Sequence, residues 1–283
     1  MKRCCIVLNI ILLLLITCKK LPKSPDDYSN PLDPKDPSYS KPEIAFIQPS
    51  PENDTSVNSD TVTFRWRGNH AGMLYSYRLG NDRWSSFNTD TTVRYTLLDD
   101  GDYEFYLRGV RSVSKDSTSI ISRSFKVDAI HAQSLYMVPR RVKLSGSNFF
   151  EIELWGEVNT PVSSMGIIIE YSPASYIAVN KEDDEYQITF DRDTTTSLLW
   201  QNDSTEVISL FKVDGDAGRI FIDCGIWGAN KELLPGRGRI ATIQFHHITG
   251  SYIYIGISEE SKFKDGERND LPINQFIGTH VYQ

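Results

Sequence analysis

Cysteine is scarce in this chain and poorly placed for cross-links. Of four cysteines, Cys4 and Cys5 lie in the first five residues, Cys18 follows shortly after, and Cys224 stands by itself in the remainder. A protein of this length without a disulfide framework holds together by burying apolar surface. Cys224 sits in the apolar run Ile220-Phe221-Ile222-Asp223-Cys224 and reads as a small core residue. Histidine is also scarce. His246 and His247 are adjacent, and neighbours on a strand point to opposite faces, so they do not share a metal. His70, His131 and His280 fall in turns or near segment ends. Basic tracts are missing beyond Lys19-Lys20 and the net charge is −7, which excludes the clustered Lys and Arg of a nucleic-acid groove. There is no Gly-x-Ser-x-Gly elbow, phosphate loop or paired-Cys motif. The expectation is a non-enzyme with no catalytic set, no metal site and no cofactor. Asp214-Gly215-Asp216-Ala217-Gly218 has the outline of a calcium loop but lacks the later bidentate Glu, so it reads as a β-turn. Lys181-Glu182-Asp183-Asp184-Glu185 reads as a solvated acidic loop with the capacity to recruit a cation.

A membrane-spanning run is missing too. Ile6 to Ile16 is apolar except for Asn9, too short for a stop-transfer helix, and Met1-Lys2-Arg3 gives it the charged flank of an export signal. Leu15-Ile16-Thr17-Cys18 resembles the lipobox of bacterial lipoproteins, with Thr17 where the family prefers Gly or Ala. That resemblance implies a signal peptide over 1–17, lipidation of Cys18, and a chain moored to a membrane and facing outside the cytoplasm in the cell envelope. A plain secretory signal with an incidental Cys18 is the competing reading. Residues 18–42, rich in Pro with Asp, Ser and Lys between, read as an extended polyproline tether.

What remains reads as all-β. Aromatics are plentiful and sit in short alternating stretches bounded by turn residues. In residues 43–128, Val62-Phe64-Trp66 and Tyr103-Phe105-Leu107 each share one face, and about seven strands are expected, as in a β-sandwich. Phe64-Arg65-Trp66 and Leu98-Asp99-Asp100-Gly101-Asp102-Tyr103 resemble a fibronectin type III or Ig-like module, with acids where that family often has Pro. The resemblance implies that Tyr103 makes a tyrosine corner, its hydroxyl bonding back to upstream backbone.

In residues 134–283, nine or ten strands are expected. They include 149–155, 165–171, 175–179, 186–190, 197–200, 206–211, 219–224, 238–245 and 252–257, in the manner of a jelly-roll sandwich. Met165 to Tyr171 is nearly all apolar, as in a strand buried on both sides or at its centre. Three stretches in order carry a second resemblance: Val162 to Pro173, Tyr176 to Asn180, and Leu234 to Phe245 followed by Thr249-Gly250 and Tyr252-Ile253-Tyr254-Ile255. Together they resemble a cohesin domain, although Ser164-Met165-Gly166 stands where dockerin-binding cohesins often have Asn-x-Asp. The resemblance implies a non-catalytic, surface-anchored scaffold whose sheet face grips a protein partner of the dockerin-bearing kind. The alternative is polysaccharide binding by exposed aromatics, with Trp155, Trp200 and Trp227 as the candidates. A flat face of mixed polarity argues for protein; two exposed coplanar Trp argue for sugar.

Overall fold

The computed structural model describes residues 29–144, 148–174, 176–178, 188–202, 206–227, 232–250 and 252–283. Cys18, residues 1–28 and the acidic loop 181–185 lie outside the described residues. Among the described residues the regular secondary structure is all strand. Residues 43–128 hold β1 (Ile44–Ile47), β2 (Thr55–Val57), β3 (Val62–Gly68), β4 (Met73–Leu79), β5 (Thr92–Tyr95), β6 (Gly101–Arg111) and β7 (Ile121–Val127). The chain continues through β8 (Ser134–Val138), β9 (Arg141–Lys143), β10 (Phe149–Val158), β11 (Ser164–Glu170), β12 (Tyr176–Ala178), β13 (Ile188–Phe190) and β14 (Glu206–Asp214). It ends with β15 (Arg219–Trp227), β16 (Gly236–His247), β17 (Tyr252–Ile257), β18 (Lys262–Lys264), β19 (Asp270–Leu271), β20 (Gln275–Ile277) and β21 (Thr279–Tyr282).

The strands form sheets in the orders β1-β3-β5, β2-β7-β6-β4, β12-β16-β10-β8-β20 with β13 also on β16, and β14-β15-β11-β17-β21-β9 with β18 on β11 and β19 on β18. Two compact units emerge. One gathers residues up to 46 with 66–91 and 106–122; the other gathers 47–65, 92–105 and 123–283. The dividing line runs through β3 and β6.

In the first unit, Trp66 on β3 is 1% exposed, meets Tyr75 from β4 edge-on at 6.0 Å and lies 5.4 Å from the tilted ring of Tyr77. Its N-terminal segment departs from the expected extended tether. Asn30-Pro31-Leu32, Asp33-Pro34-Lys35 and Asp36-Pro37-Ser38 repeat an Asx-Pro-x triplet, and each triplet closes a turn. Backbone N–H groups of Asp33, Asp36 and Tyr39 donate to the carbonyls of Asn30, Asp33 and Asp36, all at 2.9 Å. The Asx side chains also accept the N–H two residues on, at Leu32, Lys35 and Ser38. Proline presets φ for the turn and the Asx oxygen caps it, so the polyproline conformation loses to local hydrogen bonding. Arg111, 6% exposed, then fastens the segment. Its guanidinium donates to Pro31 O at 3.3 Å and Ser40 O at 3.2 Å, and lies 2.6 Å from His70 Nδ1.

In the second unit, Phe64 stacks on Phe105 at 3.9 Å and meets the edge of Phe125 at 5.4 Å, so β3 lies face to face with β6 and β7. Tyr103 Oη donates to Asp99 O at 2.9 Å, the bond expected of a tyrosine corner. The acids of Leu98-Asp99-Asp100-Gly101 are structural. Asp99 accepts the Arg140 N–H at 2.9 Å, and Asp100 accepts the N–H groups of Ala129 and Ile130 at 2.9 and 3.3 Å.

From β8 onward, the inner faces of the two large sheets supply one core that includes Leu135, Met137, Ile152, Leu154, Ile167, Ile222, Ile243 and Phe245. Strands β8 to β21 exceed the nine or ten expected. The surplus is mostly two- to four-residue strands near the C-terminus, too short to show a period in sequence. Residues 197–200 are not a strand. Ser197 makes an isolated bridge to Arg239, its hydroxyl caps the N–H groups of Leu199 and Trp200, and Leu198 and Leu199 plug the core. Nor is β11 buried on both sides: Met165, Ile167 and Ile169 point inward, while Gly166, Ile168 and Glu170 are part-exposed on the outer face.

Candidate protein-binding face

The outer face of β14, β15 and β11 is built by cross-strand register. Antiparallel pairing puts Ile208 beside Gly225 and Gly225 beside Ser164 in one row, Leu210 beside Asp223 and Asp223 beside Gly166 in the next, then Lys212, Phe221 and Ile168. Strand β18 extends these rows, with Lys264 opposite Ser164 and Lys262 opposite Gly166. Side chains alternate across a strand, so each row lies on one side of the sheet. The opposite side carries Cys224, Ile222 and Ile220, all buried.

This face exposes apolar groups that a solvated sheet normally withholds. Ile208 is 53% and Leu210 64% exposed, and Trp227, in the same alternation at the end of β15, is 65% exposed. Two glycines keep the centre low. A Cβ on Gly225 would meet nothing within 4 Å, and one on Gly166 would meet only Asp223 Oδ1 at 3.5 Å. The result is an open groove of ≈ 470 Å³ floored by β11 and β15 and walled by Ile208 and Leu210 on one side and Lys262 and Lys264 on the other. Asp270 lies 2.8 Å from Lys262 Nζ and 3.1 Å from Lys264 Nζ. Those two ammonium groups hold the Asp270 carboxyl below the usual range, and Asp270 raises Lys262. Arg219 pairs with Glu170 at 2.7 Å and Glu260 at 3.7 Å at the end of the groove. An apolar strip rimmed by charges of both signs is the anatomy of a protein interface.

The sequence-derived candidates separate. Trp227 is on this face. Trp155 is part-buried on β10, its indole N–H donating to Glu153 Oε2 at 2.9 Å, with Tyr136 stacked at 6.3 Å. Trp200 is part-buried in the loop after Leu199, with Arg192 5.5 Å from its ring. The structure does not bring the three together. Cys18 falls outside the described residues. Cys224 is 3% exposed, and burial pushes its thiol up to about 12. His247 is buried with Nε2 2.9 Å from Gly250 O, and His246 stacks on Phe149 at 4.5 Å, on opposite faces as alternation requires. Asp214 caps its turn through the Ala217 N–H at 3.0 Å. Gly218 closes that turn at φ +65, where a Cβ would strike Tyr171 O at 2.2 Å, so only glycine fits. Sequence reasoning missed Ile208, Leu210 and the two glycines, because apolar residues occupy both parities of β14 and only the pairing register says which face the solvent.

No family model and no curated protein matches the sequence. Among solved structures, the second type II cohesin module from the adaptor ScaA scaffoldin of Acetivibrio cellulolyticus is similar at 14% identity and TM-score 0.40, over 50% of this chain and 84% of that one. The type II cohesin dyad of the same scaffoldin is similar at 11% and 0.39, over 82% and 95%. The non-cellulosomal cohesin from the hyperthermophilic archaeon Archaeoglobus fulgidus is similar at 13% and 0.37, over 53% and 92%. Likenesses of this size name similar structures and show no family, so what the chain does is argued from its own faces.

Proposed function

We propose that this protein is a non-catalytic binding scaffold of the cell envelope, moored by a lipid on Cys18, that captures a protein partner on the outer face of β14, β15 and β11. The observation that carries the reading is the row of exposed Ile208, Leu210 and Trp227 beside the dimples at Gly225 and Gly166. Aromatic and aliphatic anchors around a flat centre are where binding energy concentrates in protein interfaces. The cohesin resemblance of the sequence points to a dockerin-bearing partner. Among the described residues no helix is long and apolar enough to cross a membrane.

Gly225→Arg is the decisive variant, because the added side chain enters open space and fills the groove at little folding cost. Titration of the full chain with a purified dockerin module is expected to give saturable binding, weakened at least about tenfold by Gly225→Arg and by Trp227→Ala. A module that fails to bind removes the dockerin assignment; binding untouched by Gly225→Arg removes this face. Palmitate labelling of the exported chain, lost in Cys18→Ser, tests the mooring.

A further inference from the structure

The last strand of a sheet turns a row of backbone N–H and C=O groups outward, and most sheet ends here are blunted. Strands β1, β2, β5, β9, β12 and β20 are three or four residues long. The edge of β4 is covered by the chain that follows it. Tyr75 and Asn88 exchange backbone bonds of 2.7 and 2.9 Å, and the Ser85 N–H donates to Tyr77 O at 2.9 Å. Strand β14 is different: it ends its sheet, runs nine residues and holds no proline.

The hydrogen-bonding phase of β14 follows from its neighbours. The Ile226 N–H donates to Ser163 O at 2.9 Å, so the backbone groups of Ile226 face β11. Backbone direction alternates along a strand, so Cys224 and Ile222 also face β11, while Gly225, Asp223 and Phe221 face β14. Their opposites Ile208, Leu210 and Lys212 turn N–H and C=O to β15. Val207, Ser209, Phe211 and Val213 turn theirs away from the sheet. Among the described residues, no backbone hydrogen bond reaches the outward groups of Val207, Ser209 and Val213. The side chains tell the same story. Ile208 and Leu210 are exposed on the groove side. Phe211 points to the core side and meets Phe190 at 6.4 Å, yet is 37% exposed, because the flank beyond β14 is bare. Glu206 and Lys212 are exposed and form no ion pair among the described residues.

We propose that β14 pairs with β14 of a second copy of this chain, antiparallel about a two-fold axis through Ser209. A two-fold axis perpendicular to the sheet keeps every side chain on its own face, so only registers centred on a residue are allowed. Centred on Ser209, Glu206 stands opposite Lys212, Val207 opposite Phe211 and Ile208 opposite Leu210. Each of these pairs sets a charge against its opposite or an apolar group against another. Centred on Leu210, the strand would set Glu206 against Asp214 and Ile208 against Lys212; centred on Ile208, it would set Glu206 against Leu210. Like charges directly opposite are destabilising, so sequence alone selects the Ser209 register. In it, Ser209 with its copy and Val207 with Phe211 exchange main-chain bonds. Glu206 with Lys212 and Ile208 with Leu210 take the positions between, where opposing side chains come closest. The two grooves then lie on one side of a sheet that runs unbroken through both copies.

The test is analytical ultracentrifugation of the full chain carrying Cys18→Ser, whose association owes nothing to a lipid. A concentration-dependent dimer is expected by about 100 μM, with no larger species, because pairing consumes the open edge. Ser209→Pro removes an outward N–H that β15 does not use; it is expected to leave the melting temperature unchanged and weaken the dimer at least about tenfold. Glu206→Lys and Lys212→Glu each set like charges opposite twice per dimer and are expected to weaken it at least about fivefold. The double swap of both is expected to return within about twofold of the parent, which a merely sticky edge would not do. A chain still monomeric at about 100 μM overturns the proposal, as does Ser209→Pro dimerising at parental strength, or a double swap no tighter than the single reversals. Dimerisation with the expected pattern supports the pairing whether or not a dockerin module binds, so this inference and the partner reading fail separately.

Discussion

Single residues set how this chain responds to pH. Cys224 and Tyr103 both have pKa values raised to about 12, chiefly by burial, from 9.0 and 10.0. The unfolded chain releases these protons first, so stability is complete below about pH 9 and falls as pH rises toward 12. Chemical denaturation between pH 8 and 11 is expected to show this decline, with a slope of up to about 1.4 kcal/mol per pH unit from Cys224 that Cys224→Ala removes. Asp100, its side chain 3% exposed, is a fastener. Asp100→Ala leaves the Ala129 and Ile130 N–H groups without their acceptor and is expected to cost about 3 kcal/mol in equilibrium unfolding. The two acids were legible in sequence only as a departure from a family pattern. Their use was not, because their partners lie some thirty to forty positions along the chain.

At the scale of elements, alternation exposed the long strands: β3, β6, β10 and β17 each bury one parity, and their apolar periods say so. Residues 197–200 defeated the same reasoning, since an apolar run reads alike whether it extends as a strand or caps itself and plugs a core. The Asx-Pro-x segment was hidden for a different reason: its period is three, which matches neither the strand's 2 nor the helix's 3.6. Tyr252 and Tyr254 were in plain view as the polar-tipped parity of an alternating strand, which says that the outer side is aromatic. The docking of the Asx-Pro-x segment depends on Arg111, whose buried guanidinium meets carbonyls and an imidazole. Arg111→Ala is expected to free it, raising the rate of tryptic cleavage after Lys35 at least about tenfold at unchanged global stability, read by mass spectrometry. Unchanged cleavage would mean that the turns hold without the clasp.

For the molecule as a whole, the groove of β14, β15 and β11 and the exposed tyrosines of β17 occupy one continuous sheet, with the Arg219–Glu170 pair and Gly256 between them in register. The Asx-Pro-x triplets carry the last consequence. A segment that closes on itself every three residues is counted in triplets, so gaining or losing a whole one changes its length by a fixed step and leaves the remaining turns intact. A change of one or two residues puts proline out of phase with its cap, and the ladder comes apart from that rung.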